Sequence, residues 1–251
     1  MRRRALLTAA FGAATFGQCL AARAESGGEA AGQPEVDVLL VLAVDVSRSI
    51  DEDEARLQRQ GYAEALRHPI VHKAIAGGPL GCIGLAYLEW SGTDHQRLLA
   101  PWTRLAGAED AYALADRIEA APLTLGTWTS ISAAIRYSRG LLAAAPFATA
   151  RKVIDISGDG PNNSGAPAEG ERDLAVSEGI AINGLPILKD SSRNSYAAAG
   201  PVPLDHYYRD SVTGGFGAFV LPAEDFTTFA QAVRRKLVLE IAGLPAGGTP
   251  G

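Results

Sequence analysis

From Val38 to Val44 the chain reads VLLVLAV, an apolar run with no polar interruption. A run of this kind that does not alternate is a strand buried on both faces, as in a parallel sheet covered by helices. It ends in Asp45-Val46-Ser47-Arg48-Ser49 and passes at once into an acidic segment that can start a helix, Asp51-Glu52-Asp53-Glu54. Open α/β sheets bind ligands just outside the carboxyl ends of their strands. Alternate spacing sends Asp45, Ser47 and Ser49 to one side if the loop stays extended. One carboxylate and two hydroxyls are hard oxygen donors, suited to Mg²⁺ or Mn²⁺ rather than to a soft metal. Ser49 and Asp51 also suit the plainer role of helix N-cap.

The first residues have the form of a targeting segment. Arg2, Arg3 and Arg4 make a basic start, Ala5 to Leu20 is apolar and small, and Ala22-Arg23-Ala24 offers the small residues a signal peptidase needs. The apolar stretch is too short and too rich in Gly and Ala for a membrane span. Cleavage after Ala24 and export to a bacterial periplasm or beyond are expected. Cys19 would leave with the signal, and its flank, Phe16-Gly17-Gln18, is a poor lipoprotein box. Cys82 then remains alone, so no intramolecular disulfide can form and a buried, inert thiol is expected. The formal charge of −5 argues against nucleic acid and anionic membrane surfaces as partners. No second apolar run of spanning length occurs, so the mature chain is expected to be a soluble monomer without stable membrane insertion.

Beyond a Gly/Ala/Glu leader over residues 25–35, a single domain over 36–242 is expected, with a frayed Gly/Pro tail at 243–251. Asp51 to Arg67 is amphipathic through Ala55, Tyr62, Ala63 and Leu66, Pro69 ends it, and Ile70 to Ala76 is a short further turn. Gly81 to Trp90 is a second apolar strand, and Gln96 to Trp102 returns beside it as an antiparallel edge. Ala108 to Ala120 is a helix with Tyr112, Leu114, Ala115 and Ile118 on or near one face. Thr129 to Ala145 is another, with Thr129-Ser130 as cap and Pro146 as stop. Arg151 to Ile156 is a strand, Ser157 to Asn163 a turn, Glu169 to Glu178 a helix and Ile180 to Leu188 a strand. Lys189 to Leu204 reads as a surface insertion, His206 to Ser211 as a helical turn, Ala218 to Leu221 as a last strand, and Glu224 to Ala242 as a closing helix. Strands alternating with helices predict an α/β, doubly wound, mostly parallel sheet with one antiparallel edge strand and helices on both faces.

In such a sheet the strand-to-helix loops share one edge, and three segments would bring oxygens there: Asp45/Ser47/Ser49, Thr129 and Asp159. Thr129 opens a helix, whose amino terminus favours a bound anion. Asp159 lies between glycines that let the backbone fold tightly. These residues together resemble the DxSxS, Thr and Asp motifs of a von Willebrand factor type A domain, in order and spacing over about Val36 to Ile241. The resemblance implies that the five form a metal-ion-dependent adhesion site, with a position left for a carboxylate from a protein partner. More narrowly, the chain resembles a bacterial exported family of unknown function built on this domain, through Leu88 to Gly92, Val153 to Gly160, Ile182 to Leu185 and Gly217 to Val220. Ser-Gly-Asp-Gly stands where Thr-Asp-Gly is commoner in such domains, which places the carboxylate one residue further out. Thr127 and Thr129 both lie near the Thr motif; Thr129 is preferred because Thr129-Ser130-Ile131 opens the helix as the motif does.

Other residues fit plainer roles. His68 and His72 have metal-ligand spacing, but Pro69 breaks the helix between them and no third ligand is evident. His95 and His206 look like surface residues, Glu89 and Trp90 either border the crevice or lie in the core, and Trp102 fits core or hairpin cover. Tyr207 and Tyr208 fit packing against the sheet better than a partner patch. Asp155 fits either a place behind the metal ligands or a buried, hydrogen-bonded acid. An aspartyl-phosphate hydrolase would want a second acid at position 47 and a nearby Lys, and no nucleophile elbow or phosphate loop is present. The sequence therefore favours a metal-dependent protein-binding module over a hydrolase using the same crevice or a scaffold with a vestigial site.

Overall fold

The computed structural model describes residues 32–188, 202–225 and 228–243. The expected signal segment, most of the leader, most of the insertion at 189–204 and the tail beyond Gly243 lie outside the described residues. Among the described residues the chain forms β1 (Leu39–Asp45), α1 (Glu52–Arg67), α2 (Pro69–Ala76), β2 (Ile83–Trp90) and β3 (Gln96–Leu105). There follow α3 (Ala108–Ala120), α4 (Ile131–Ala143), β4 (Lys152–Gly158), α5 (Ala168–Ser177), β5 (Ile180–Pro186), α6 (Leu204–Tyr207), a π-helical turn at Tyr208–Val212, and α7 (Phe229–Ala242).

The sheet order is β3-β2-β1-β4-β5. β1 pairs in parallel with β2 and β4, β4 pairs in parallel with β5, and β3 runs antiparallel to β2 at the edge. This is the doubly wound sheet expected. The uninterrupted apolar run explains why β1 is central: every one of its residues is buried. Leu40, Leu42 and Val44 face α1, α3 and α7, while Leu39, Val41 and Ala43 face α4 and α5. A strand with both faces apolar has no stable place at an edge. Pro101 is tolerated in β3 because an edge strand can spare an N–H.

Several local expectations change. Pro69 does stop α1, but its fixed φ and missing N–H also suit a first helical position, and it opens α2 behind the His68 cap. β4 continues through Ser157 and Gly158, so the turn begins only at Asp159. Ala218 to Leu221 forms no strand; Val220 makes a single bridge to Gly184. Tyr112 projects outward at 44% exposure, leaving Ala111, Leu114, Ala115 and Ile118 as the buried face of α3. Cys82 is buried with a free thiol, as expected. No helix among the described residues is long and apolar enough to cross a membrane.

β2 and β4 flank β1 on opposite sides, so the chain's connections diverge at the carboxyl ends of β1 and β4. That is the switch point at which α/β sheets carry ligand sites.

Candidate metal centre

Asp45 is the last residue of β1, opposite Trp90 of β2. Its Oδ1 accepts the backbone N–H of Ser47 at 2.7 Å, which folds the loop back over the strand end. Gln58 of α1 donates to the Asp45 carbonyl at 3.1 Å. Ser47 Oγ lies 3.2 Å from Ser49 Oγ, and Ser49 Oγ donates to Asp159 Oδ1 at 2.5 Å. Thr129 Oγ1 donates to Ser47 Oγ at 3.1 Å. Asp45, Ser47, Thr129 and Asp159 are each no more than 3% exposed, and Ser49 stands exposed at the mouth. All five residues singled out from the sequence thus meet in one oxygen-lined cup. Thr127, the alternative, is exposed.

Thr129 lies between two helices, as the sequence predicts; the route between them is set by packing. α3 packs on one face of the sheet and α4 on the other, so the segment joining them must cross the carboxyl edge. The crossing is pinned by Gly126 N–H to the Val46 carbonyl at 2.9 Å and Ser130 N–H to the Ser91 carbonyl at 2.7 Å. The Thr129 hydroxyl is therefore spent on Ser47, and α4 begins with no side-chain cap at Ser130. Asn162 and Asn163, read from the sequence only as turn residues, supply what is missing. Asn163 Oδ1 accepts the Thr129 N–H at 2.8 Å and Asn162 Oδ1 the Ser132 N–H at 3.2 Å. Their signal in the sequence is two adjacent Asn residues after a Gly-Pro pair, which predicts a turn and says nothing of its target.

Behind the cup, Gly158 has no room for a side chain: a Cβ there would lie 2.8 Å from the Tyr208 hydroxyl and 2.9 Å from Asp45 Oδ2. Burial, followed by the charges of Asp45 and Asp159, pushes the Tyr208 phenol well above its ordinary pKa, so it stays neutral beside them. Two carboxylates and three hydroxyls form a hard, anionic donor set of the kind that suits a small divalent cation.

Residues 35–245 match the family described as "Protein of unknown function (DUF1194)". The chain belongs to that family. The DUF1194 chain also has the fold of a von Willebrand factor type A domain. It is similar to proximal thread matrix protein 1 from the mussel byssus (16% identity, TM-score 0.58, covering 82% of this chain and 47% of that one). A second structure of that mussel protein has a zinc-occupied MIDAS motif (14% identity, TM-score 0.53, covering 81% and 46%). It is likewise similar to the von Willebrand factor type A protein from Catenulispora acidiphila (16%, TM-score 0.58, covering 82% and 43%). The DUF1194 chain spans less than half the length of these structures. It matches 99% of the vWF domain of the type V pili tip protein Mfa5 from Porphyromonas gingivalis, at 11% identity, TM-score 0.54 and 86% coverage of this chain. At these identities the likeness is one of fold. No curated protein matches the sequence.

The remaining candidates separate cleanly. His68 Nδ1 accepts the Ile70 N–H as a cap, and His72 Nε2 pairs with the Leu66 carbonyl. Among the described residues no three His, Cys, Asp or Glu side chains gather as a metal cluster. Glu89 and Trp90 are fully buried in β2, Glu89 in an ion pair with Arg59. Tyr208 is core, and Tyr207 accepts the Asn162 N–H. His206 is exposed, but His95 is half-buried against the crossing segment.

The crossing itself offers a direct test. A Cβ on Gly126 would lie 1.7 Å from Ser91 Oγ and 2.5 Å from Ser91 Cβ. Gly126→Ala is expected to cost about 1–3 kcal/mol through overpacking, measured by urea unfolding. An unchanged midpoint would show that the segment shifts freely over Ser91.

Proposed function

We propose that this DUF1194 chain is an exported, divalent-metal-dependent protein-binding domain. Asp45, Ser47, Ser49, Thr129 and Asp159 would hold Mg²⁺ or Mn²⁺, and a carboxylate of a protein partner would complete its coordination. The observation that carries this reading is the convergence of five oxygen-bearing side chains from three separate segments on the sheet's switch point, four of them buried. The hydroxyl pairs at 3.1 and 3.2 Å are close to the edge of about 2.9 Å that adjacent oxygens keep around Mg²⁺. When bound, the ion supplies a positive charge able to attract an anionic group. The protein's own part is to hold these oxygens in place and keep water from all but the Ser49 side.

The rim also suits protein capture. Trp128, next to Thr129, is 58% exposed, an aromatic of the type that anchors protein interfaces. The zinc-occupied MIDAS motif of the mussel protein and the pilus-tip role of Mfa5 support the same reading by fold analogy. Export rests on Arg2–Arg4, the apolar stretch after them and Ala22-Arg23-Ala24. A catalytic reading draws less support. Ser91 and His95, a serine and a histidine near the crossing, are not hydrogen-bonded to one another through Ser91 Oγ or His95 Nε2.

Thermal unfolding in EDTA and then in Mg²⁺ or Mn²⁺ tests the site. At a hundredfold excess over Kd the bound ion should stabilise the native state by about 2.7 kcal/mol. On a domain of this size that raises the midpoint by about 5–10 °C. Asp45→Ala should remain folded and lose the shift. No shift in the wild-type protein, or an equal shift in the variant, would overturn the assignment.

A further inference from the structure

On the face of the sheet opposite α4, two acids and one base are buried together. Lys236 Nζ of α7 lies 2.7 Å from Asp155 Oδ1 of β4 and also pairs with Glu240 one turn further along α7. Lys236, Asp155 and Glu240 are each at most 2% exposed. Asn183 of β5 donates to Glu240 Oε1 at 2.9 Å, and the Phe219 N–H binds the other end of the Asn183 amide. The Phe219 ring lies 5.5 Å below Lys236 Nζ. Fully ionised, the trio would bury a net negative charge, which costs far more than holding a proton.

We propose that Asp155, Lys236 and Glu240 form a proton-operated latch, which docks α7 on the sheet while the cluster keeps one proton and loosens it when that proton leaves. The other groups around Glu240 offset the excess charge only in part, since the nearby Arg151 is shared with Asp37. From α1 comes the neutral Tyr62, which donates to Ser157 at 3.2 Å. α2 meets α7 through Ile70, beside Arg234 and Arg235 on the far side of the helix from Glu240. Ahead of β4, Arg151 donates to the backbone carbonyls of Glu240 and Ile241 and faces the charges of both Asp37 and Glu240. A cavity of about 440 Å³, lined by Arg151, Lys152, Asn183, Phe216, Phe219 and Glu240, gives protons a path from solvent. Burial, and then the charge of Asp155, raises Glu240 to about 7. Burial raises Asp155 as well, against the opposing pull of Lys236.

A carboxyl that titrates higher docked than undocked strengthens docking fully below its ordinary pKa. That contribution is lost as pH climbs from about 4.5 through about 7. Hydrogen exchange resolves it, with each amide corrected for its intrinsic rate. Protection of α7 should fall more than about tenfold between pH 5 and 7.5, then level off, while β1 changes little. Glu240→Gln should flatten the profile. Asp155→Asn, which leaves one acid for one base, should flatten it above about pH 5.5. Should Glu240→Gln fail to fold, carbon-13 NMR of the Glu240 carboxyl in the wild-type protein decides alone. A midpoint of 6 or above supports the latch, and one below 6 overturns it. A flat wild-type profile, a parallel fall in β1, or an unchanged profile in Glu240→Gln would also overturn it. None of these readouts needs a metal ion, so the latch and the metal centre stand or fall separately.

Discussion

Replacing Lys236 with Met should destabilise the protein by about 3–5 kcal/mol at pH 8, one of the two largest effects expected of a single substitution here. Met nearly conserves the volume, so little of the loss comes from a cavity. The cost is electrostatic. Without the ammonium, Asp155 and Glu240 face one another in a buried site, and folding must either protonate both or bury two negative charges. The variant should therefore regain stability on acidification. Both acids titrate higher in its native state than in the unfolded chain, and stability lost as pH rises through the native values returns as pH falls below them. Urea unfolding at pH 8 and 5.5 reads both effects. Adding Asp155→Asn and Glu240→Gln to Lys236→Met should recover much of the loss at pH 8. A cost below about 1 kcal/mol would mean that solvent reaches the trio.

Lys236 also marks where the sequence stops being legible. Lys and Glu four residues apart on a helix normally make an exposed, weakly stabilising pair. Only the Asp at 155, between Ile154 and Ile156 in a buried strand, hints that α7 brings its charges inward, and finding its counterpart needs the helix's rotation about its own axis. β1 was legible because a both-faces-apolar strand has one place in an open sheet, and its end is where such sheets carry ligands. Asp45, Ser47 and Ser49 follow from local spacing alone. Thr129 and Asp159 follow from the loops that a parallel sheet gathers at one edge, and the likeness to a motif favours Thr129 over Thr127. What the sequence could not show was the crossing between α3 and α4, because which face each helix covers is set by packing. Nor could it show that Asn162 and Asn163 brace that crossing, since Asn fills turns for many reasons. The Val220 segment has strand composition, but Gly214, Gly215 and Gly217 and a single bridge to Gly184 leave it an irregular cover of β5.

Arg59→Leu should also cost about 3–5 kcal/mol, by stranding Glu89 in the core. Arg59 Nε and one terminal nitrogen bind the two Glu89 oxygens at 2.6 and 2.9 Å, with the two side chains only 6% and 1% exposed. The same guanidinium donates to the carbonyls of Ala121 and Pro122, at the start of the segment that carries Thr129 over the sheet edge. Arg59 thus neutralises a buried acid on β2 and ties down the crossing. The double variant Arg59→Leu/Glu89→Leu separates these roles. Replacing both members of a buried pair by apolar residues is often close to neutral, so unfolding should return near the wild-type midpoint. The Ala121 carbonyl would still lack its donor, while the Pro122 carbonyl would keep Arg97 at 3.2 Å. If Arg59 positions the crossing, the double variant is stable yet loses most of the Mg²⁺-dependent rise in midpoint. If stability and the metal response return together, neutralising Glu89 is all that Arg59 does, and the backbone bonds of Gly126 and Ser130 hold Thr129 unaided.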